Sequence, residues 1–196
     1  MPIIIQSFTR QKVVAIGAST GGVAALEHIF SGLPKAIPPM LLVIHMPVGF
    51  TSLLSARFND MFNFSVKEAQ TGDFLTQGQL LIAPSGRHMK LVLDEKRHAV
   101  ECFVGPKVHH VIPSVDVLFD SVADVMQDKA IGVILTGMGA DGADGLLKMR
   151  GKGAATIGQD RETCAIYGMS KVAKEMGAVT HELPLHQIAK KIMTLS

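Results

Sequence analysis

A chain of 196 residues, 47% hydrophobic and without a low-complexity tract, is long enough for one domain that buries about 70% of the surface its unfolded form exposes. The net charge of +2 is spread thinly, densest only at Lys148, Arg150 and Lys152, which excludes the basic patch of a small nucleic-acid-binding domain. Cys102 and Cys164 lie far apart and form no C-x-x-C pair, so free thiols in a reducing compartment are expected and a cysteine-held metal is not. Met1 to Arg10 offers only the brief Ile3-Ile4-Ile5 run, without a signal peptide's basic start or apolar core. Nowhere do apolar residues run the ~18 needed to span a bilayer. A cytoplasmic protein with no direct membrane insertion is expected.

The first strong signal is the stretch Lys12 to Gly22, KVVAIGASTGG. Val13 to Ile16 is the apolar run of a strand buried on both faces, and Gly17-Ala18-Ser19-Thr20-Gly21 follows as G-x-S-x-G. Apolar residues at 23, 26, 29 and 30 then take up helical spacing, which sets Ser19 in a tight strand-to-helix turn. Small residues let the helix approach the strand while the hydroxyl is held outward, and the unpaired amides opening the helix suit a developing negative charge. Ser19 is therefore a candidate nucleophile. Read alone a serine before a helix is more often only an N-cap, and the turn is a candidate phosphate cradle, although neither G-x-G-x-x-G nor a P-loop ending fits.

Gly32, Pro34, Pro38 and Pro39 mark a loop, and Met40 to Ile44 is a second buried strand ending at His45-Met46-Pro47. A right-handed βαβ unit puts both strand ends, and with them Ser19 and His45, on one edge of a parallel sheet, where open sheets bind ligands. Thr51 is a candidate cap for a helix from Ser52 to Asn59. Between 64 and 103 short segments alternate in polarity, so an antiparallel hairpin decorating one edge of the sheet is expected. Ser114 caps a helix whose buried face is Val115, Leu118, Phe119, Val122 and Val125. His109 and His110 are adjacent and, if extended, point to opposite sides and chelate poorly. No histidine pair has recognisable ligand spacing, so neither a metal nor another cofactor is called for.

Ile131 to Leu135 is a third buried strand, followed by the glycine-rich turn Thr136 to Gly145. Asp141 falls near the start of the next helix, where a carboxylate serves as a cap. Read with Ser19 and His45, it leaves the same sheet edge and can orient an imidazole, with Asp144 as the rival. A strand at Ala154 to Ile157, a helix near Tyr167 to Met176, a strand at Ala178 to Thr180 and a helix from Pro184 to Met193 complete the expected elements.

Several blocks taken together resemble the catalytic domain of the chemotaxis receptor methylesterases, the CheB family of protein-glutamate methylesterases. They are IGASTGG at 16 to 22, HMPVGFT at 45 to 51, VKEAQTGD at 66 to 73, IAPSGRHM at 82 to 89, PSVDVLF at 113 to 119 and VILTGMGADG at 133 to 142. The resemblance implies a doubly wound α/β three-layer sandwich with a mainly parallel sheet, and a single catalytic domain over residues 1 to 196. It implies a serine hydrolase that removes methyl esters from glutamate side chains of methylated chemoreceptor cytoplasmic helices and, in many members, deamidates receptor glutamines. It assigns the nucleophile to Ser19, the general base to His45 and the orienting carboxylate to Asp141. It points to Met138 for oxyanion stabilisation and to the Thr20 hydroxyl as a support for the histidine, while the amide of Thr20, beside the nucleophile, is a geometric candidate for the oxyanion.

Members of that family commonly carry an N-terminal receiver domain, and nothing before Lys12 could form one, so the sequence reads as either a fragment or a standalone enzyme regulated in another way, with a receiver domain in cis or in trans as a candidate partner. Ile112 stands where the family usually has arginine, and Gly-Met-Ser-Lys at 168 to 171 replaces a block with proline and arginine after the methionine. Two alternatives stay open at this level: a nucleotide or phosphate binding module, and a catalytically inactive homologue that docks on receptors.

Overall fold

The computed structural model describes residues 12–95 and 97–196; the Ile3-Ile4-Ile5 run lies outside them. Among the described residues nine strands and six α-helices follow one another in largely alternating order. Strands β1 (Val13–Ala18), β2 (Met40–Ile44) and β7 (Ala130–Ile134) are buried at every position. They are the centre of a seven-stranded sheet of order β3-β4-β2-β1-β7-β8-β9, every pairing of which is parallel. The remaining members are β3 (Ser65–Glu68), β4 (Gln79–Ile82), β8 (Ala155–Gln159) and β9 (His181–Leu183). Strands buried on both faces need a layer of helices on each side.

One layer is α1 (Gly22–Ser31), α2 (Phe50–Met61) and α6 (Leu185–Leu195), whose Leu26, Ile29, Phe30, Phe58 and Ile188 pack with Val14, Ile16 and Leu42 of the sheet. The other is α3 (Val115–Met126), α4 (Ala143–Gly151) and α5 (Met169–Glu175), whose Leu118, Phe119, Leu146 and Ala173 pack with Ala15, Val43 and Ile134. The doubly wound three-layer α/β sandwich is thus what forms. The chain lays strands to one side of β1, then returns and continues from β7 on the other side. That reversal opens a crevice at the carboxyl ends of β1 and β7, the place where such sheets bind ligands.

Four local expectations are corrected. Of the short segments between 64 and 103, two join the parallel sheet, and only β5 (His88–Asp94) and β6 (Arg97–Phe103) form the antiparallel hairpin. The hairpin is a separate two-stranded sheet packed on α3, where the Leu91 amide donates to Ser121 Oγ at 2.9 Å. Thr51 is no cap: α2 begins after Gly49, at φ 88°, while Thr51 is fully buried and donates to Glu68 Oε1 at 2.5 Å. The last strand lies at His181–Leu183, because Ala178 is core filling and Thr180 is held to Thr156 by reciprocal bonds before the ladder begins. Helix α5 starts at Met169, after Tyr167 has paired with Gly137 in an isolated bridge. Among the described residues no helix is long and apolar enough to cross a membrane.

Candidate active site

Three of the singled-out residues meet at the crevice. Ser19 follows β1 at once. Its amide donates to Thr136 O at 3.0 Å, and Thr136 Oγ1 donates to Thr20 O at 2.9 Å, so the turn after β7 clamps the turn after β1. Gly21, at φ 81°, supplies the left-handed residue that starts α1. Gly137 is fixed by close approach: a Cβ there would lie 2.7 Å from Ser19 Cβ and collide with Met169 Sδ. Met138 follows on that same turn. The residue is 77% exposed, and neither its amide nor that of Thr20 has an acceptor among the described residues. The Thr20 hydroxyl makes no hydrogen bond to His45 among the described residues.

His45 follows β2, and its amide donates to Ala18 O at 3.1 Å, continuing the β1–β2 ladder to the end of the elbow. Its Nε2–H donates to Asp141 Oδ2 at 2.8 Å. With the ring proton held there, a neutral imidazole presents the lone pair of Nδ1 as its basic site. Ser19 and His45 both line an open cleft of about 510 Å³. A second cleft of about 490 Å³ shares His45, Met46 and Pro47 with the first and continues past Lys107, His110 and Ile112. Ile112 gives that wall an apolar side chain. The larger cleft of about 580 Å³ is lined by charged groups such as Arg161, Lys174 and Glu182, away from Ser19.

Asp141 is 2% exposed and is a cap, but of the opposite helix. Oδ1 accepts from Ser114 Oγ at 2.6 Å and from the Asp116 amide at 3.2 Å; Oδ2 accepts from the Val115 amide at 2.7 Å as well as from His45. Burial pushes its pKa up, yet the bonds from His45, Ser114 and the two amides outweigh burial and hold it below the ordinary carboxylate value. Asp144 is exposed on the first turn of α4, and it is Asp141 that reaches His45.

His109 and His110 are not extended, with φ of 48° and 65°, so the condition under which opposed side chains were expected does not hold. His109 turns to Asp116, with Nε2 2.9 Å from Oδ2, while His110 lines the second cleft. His109, Asp116 and Asp144 bring ligand atoms within 4.8 Å of one another. The structure accounts for Asp116 without an ion, because its other oxygen accepts the Gly145 amide at 2.7 Å and so caps α4. Ser114 and Thr136 were legible in the sequence only as a cap and as a loop residue. Their partners lie 27 and 116 residues away, and the only trace of that was the PSVD and LTGMGADG blocks standing beside the GASTGG block.

A doubly wound α/β sheet that brings a serine, a histidine and a buried aspartate to one switch point is of the class whose ligand sites lie beyond the carboxyl ends of the strands. The chain belongs to the CheB methylesterase family, whose model matches residues 14–192. It is 48% identical over 188 residues to protein-glutamate methylesterase/protein-glutamine glutaminase 4 of Anaeromyxobacter dehalogenans, covering 96% of this chain and 53% of that protein. It is 49% identical over 183 residues to protein-glutamate methylesterase/protein-glutamine glutaminase 2 of Syntrophomonas wolfei, covering 93% of this chain and 54% of that protein. The chain therefore spans about half the length of the curated relatives it matches. The crystal structure of the Thermotoga maritima CheB methylesterase catalytic domain superposes with a TM-score of 0.92 at 38% identity, covering 95% of this chain and 99% of that one.

Proposed function

We propose that this chain is a single catalytic unit that hydrolyses methyl esters of glutamate side chains on chemoreceptors, facing their cytoplasmic helices. Ser19 is the nucleophile, His45 the general base and Asp141 the group that fixes the imidazole. Ser19 Oγ attacks the ester carbonyl carbon as its proton passes to His45 Nδ1. Asp141, on Nε2, steadies the imidazolium that results. The tetrahedral intermediate expels methoxide, which takes the proton from His45 and leaves as methanol. Water, deprotonated by the same nitrogen, then splits the acyl-serine to glutamate and frees Ser19. The unpaired amides of Thr20 and Met138 receive the oxyanion, one such donor being worth about 3 kcal/mol. Deamidation of glutamine, the second activity in the relatives' names, is the same acyl transfer with ammonia leaving.

The observation that carries this reading is the 2.8 Å bond between His45 and a buried Asp141 in the cleft that Ser19 lines. A receptor or receiver partner is part of the proposal, and the open cleft along His45 suits an elongated protein segment. The test is methanol release from methylated chemoreceptor membranes. Wild type is expected to release it, and Ser19→Ala to lower the rate by about 10⁴-fold or more. Equal release by the two proteins would overturn the nucleophile, and none from wild type on several receptor preparations would overturn the substrate.

A further inference from the structure

We propose that Ser114 is a positioning residue for this reaction: its hydroxyl donates to Asp141 and aims the carboxylate at His45. The inference rests on the Ser19–His45–Asp141 reading above. Asp141 has four donors, two on each oxygen, and among the described residues Ser114 is the only side-chain donor besides His45. A 2.6 Å O–H bond to a carboxylate belongs to the strong, charge-assisted kind. Pinning Oδ1 fixes the rotation of the carboxyl group, and that rotation decides where Oδ2 meets the imidazole.

Ser114 is itself held rigidly. It is fully buried, and its amide donates to His88 Nδ1 at 3.2 Å. His88, 1% exposed, spends its other ring nitrogen on Pro106 O at 2.9 Å, so the β5 strand backs the serine from behind. An ordinary N-cap serine needs only to accept from its helix. Here the bond accepted from the Val117 amide is long, 3.4 Å, whereas the donated one is short. A hydroxyl has one proton to give, and Ser114 gives it to Asp141 and not to solvent. That donation is the part that helix capping does not explain.

Glycine caps a helix nearly as well as serine but has no hydroxyl, and threonine keeps both functions. Ser114→Gly, Ser114→Thr, Ser19→Ala and Asp141→Asn are therefore compared in methanol release from methylated receptor membranes, with melting temperatures measured alongside. Ser114→Gly is expected to lose about 10- to 100-fold in kcat, the range for a hydrogen bond to a charged group, with KM within about twofold of wild type. Ser114→Thr is expected to recover most of that loss. The ¹⁵N-edited signal of the His45 ring proton facing Asp141 is expected to shift in the glycine variant and return in the threonine variant. A folded Ser114→Gly enzyme with wild-type kcat and an unmoved ring-proton signal would overturn the proposal, even if the threonine variant fails to fold. Wild-type rates from Ser19→Ala and Asp141→Asn would instead sink the underlying catalytic reading, so the two failures are distinguishable.

Discussion

The N-termini of α3 and α4 are built alike and end up different. Each is capped by an aspartate from the other's neighbourhood: Asp141, just before α4, accepts the first amides of α3, and Asp116, in the first turn of α3, accepts the Gly145 amide of α4. Both carboxylates are nearly buried, at 2% and 7% exposure. Yet Asp141 is held below the ordinary carboxylate pKa and Asp116 above it. For Asp116 burial dominates; the amides of Gly145 and Gly142 and the nearby His109 pull down against it, while the charge of Asp141 adds to the rise. Asp141 is also buried, and each aspartate meets an imidazole, His45 for Asp141 and His109 for Asp116, but Asp141 gains in addition the hydroxyl of Ser114 as a donor. Burial therefore does not decide the direction of the shift. The number and kind of donors do, and of the two caps only Asp141 is given a hydroxyl donor besides its amides and its histidine.

The largest effect expected from this contrast is at Asp141. Asp141→Asn keeps the shape of the cap but offers His45 no anion, and kcat for methyl-ester hydrolysis should fall by about 10⁴-fold while the far-ultraviolet circular dichroism stays native. A loss of less than about tenfold would remove the distinction between the two aspartates. The next effect is of another kind. Asp116→Ala leaves the Gly145 amide without its acceptor, and the urea midpoint should report a loss of about 1–2 kcal/mol with kcat within about threefold of wild type. A variant of full stability but crippled kcat would mean that Asp116 belongs to the reacting group and not to the scaffold.

How far these roles could be read from the sequence follows from the range of the interactions. The strands at the centre of the sheet were plain, because runs such as Val13 to Ile16 and Ile131 to Leu135 are apolar on both faces and fit no other use. The hairpin was visible from its alternation, but alternation in 88–93 and 99–103 says nothing of which surface the pair will cover, and it covers α3 and not the sheet edge. At the chain's end the apolar Ala178 and Val179 drew the expected strand to themselves, whereas the edge ladder runs through the more polar His181 and Glu182. Thr51 failed as a cap for the same reason in reverse. Its partners Glu68 and Ser85 lie 17 and 34 residues away, and local spacing cannot register them. Asp141 was legible as a cap and as a partner for His45, and it does both, although the helix it caps comes before it in the chain. The Ser114 hydroxyl, seen only as a cap, carries a bond that no local pattern encodes.

The smallest effect, and the one that examines the contrast most directly, is the pH dependence of stability. Asp141 has a folded pKa below its unfolded value, so its charged form stabilises the native state above the ordinary carboxylate range, and this contribution is lost as pH falls through the folded pKa. Asp116 has a folded pKa above its unfolded value, so the native state holds that proton more tightly. Its presence then costs stability progressively as pH rises from the unfolded pKa through the folded one. Subtracting the stability of each Asn variant from that of wild type across about pH 3 to 7 should give two curves of opposite slope. The difference for Asp141→Asn should grow as pH rises, because only wild type gains the anion. The difference for Asp116→Asn should shrink, because only wild type has a buried charge to form. Curves that rise together would show that the donors around Asp116 suffice to keep it ionised. The two caps would then differ in their neighbours alone and not in their charge, leaving the contact with His45 as the whole of what separates a reacting carboxylate from a structural one.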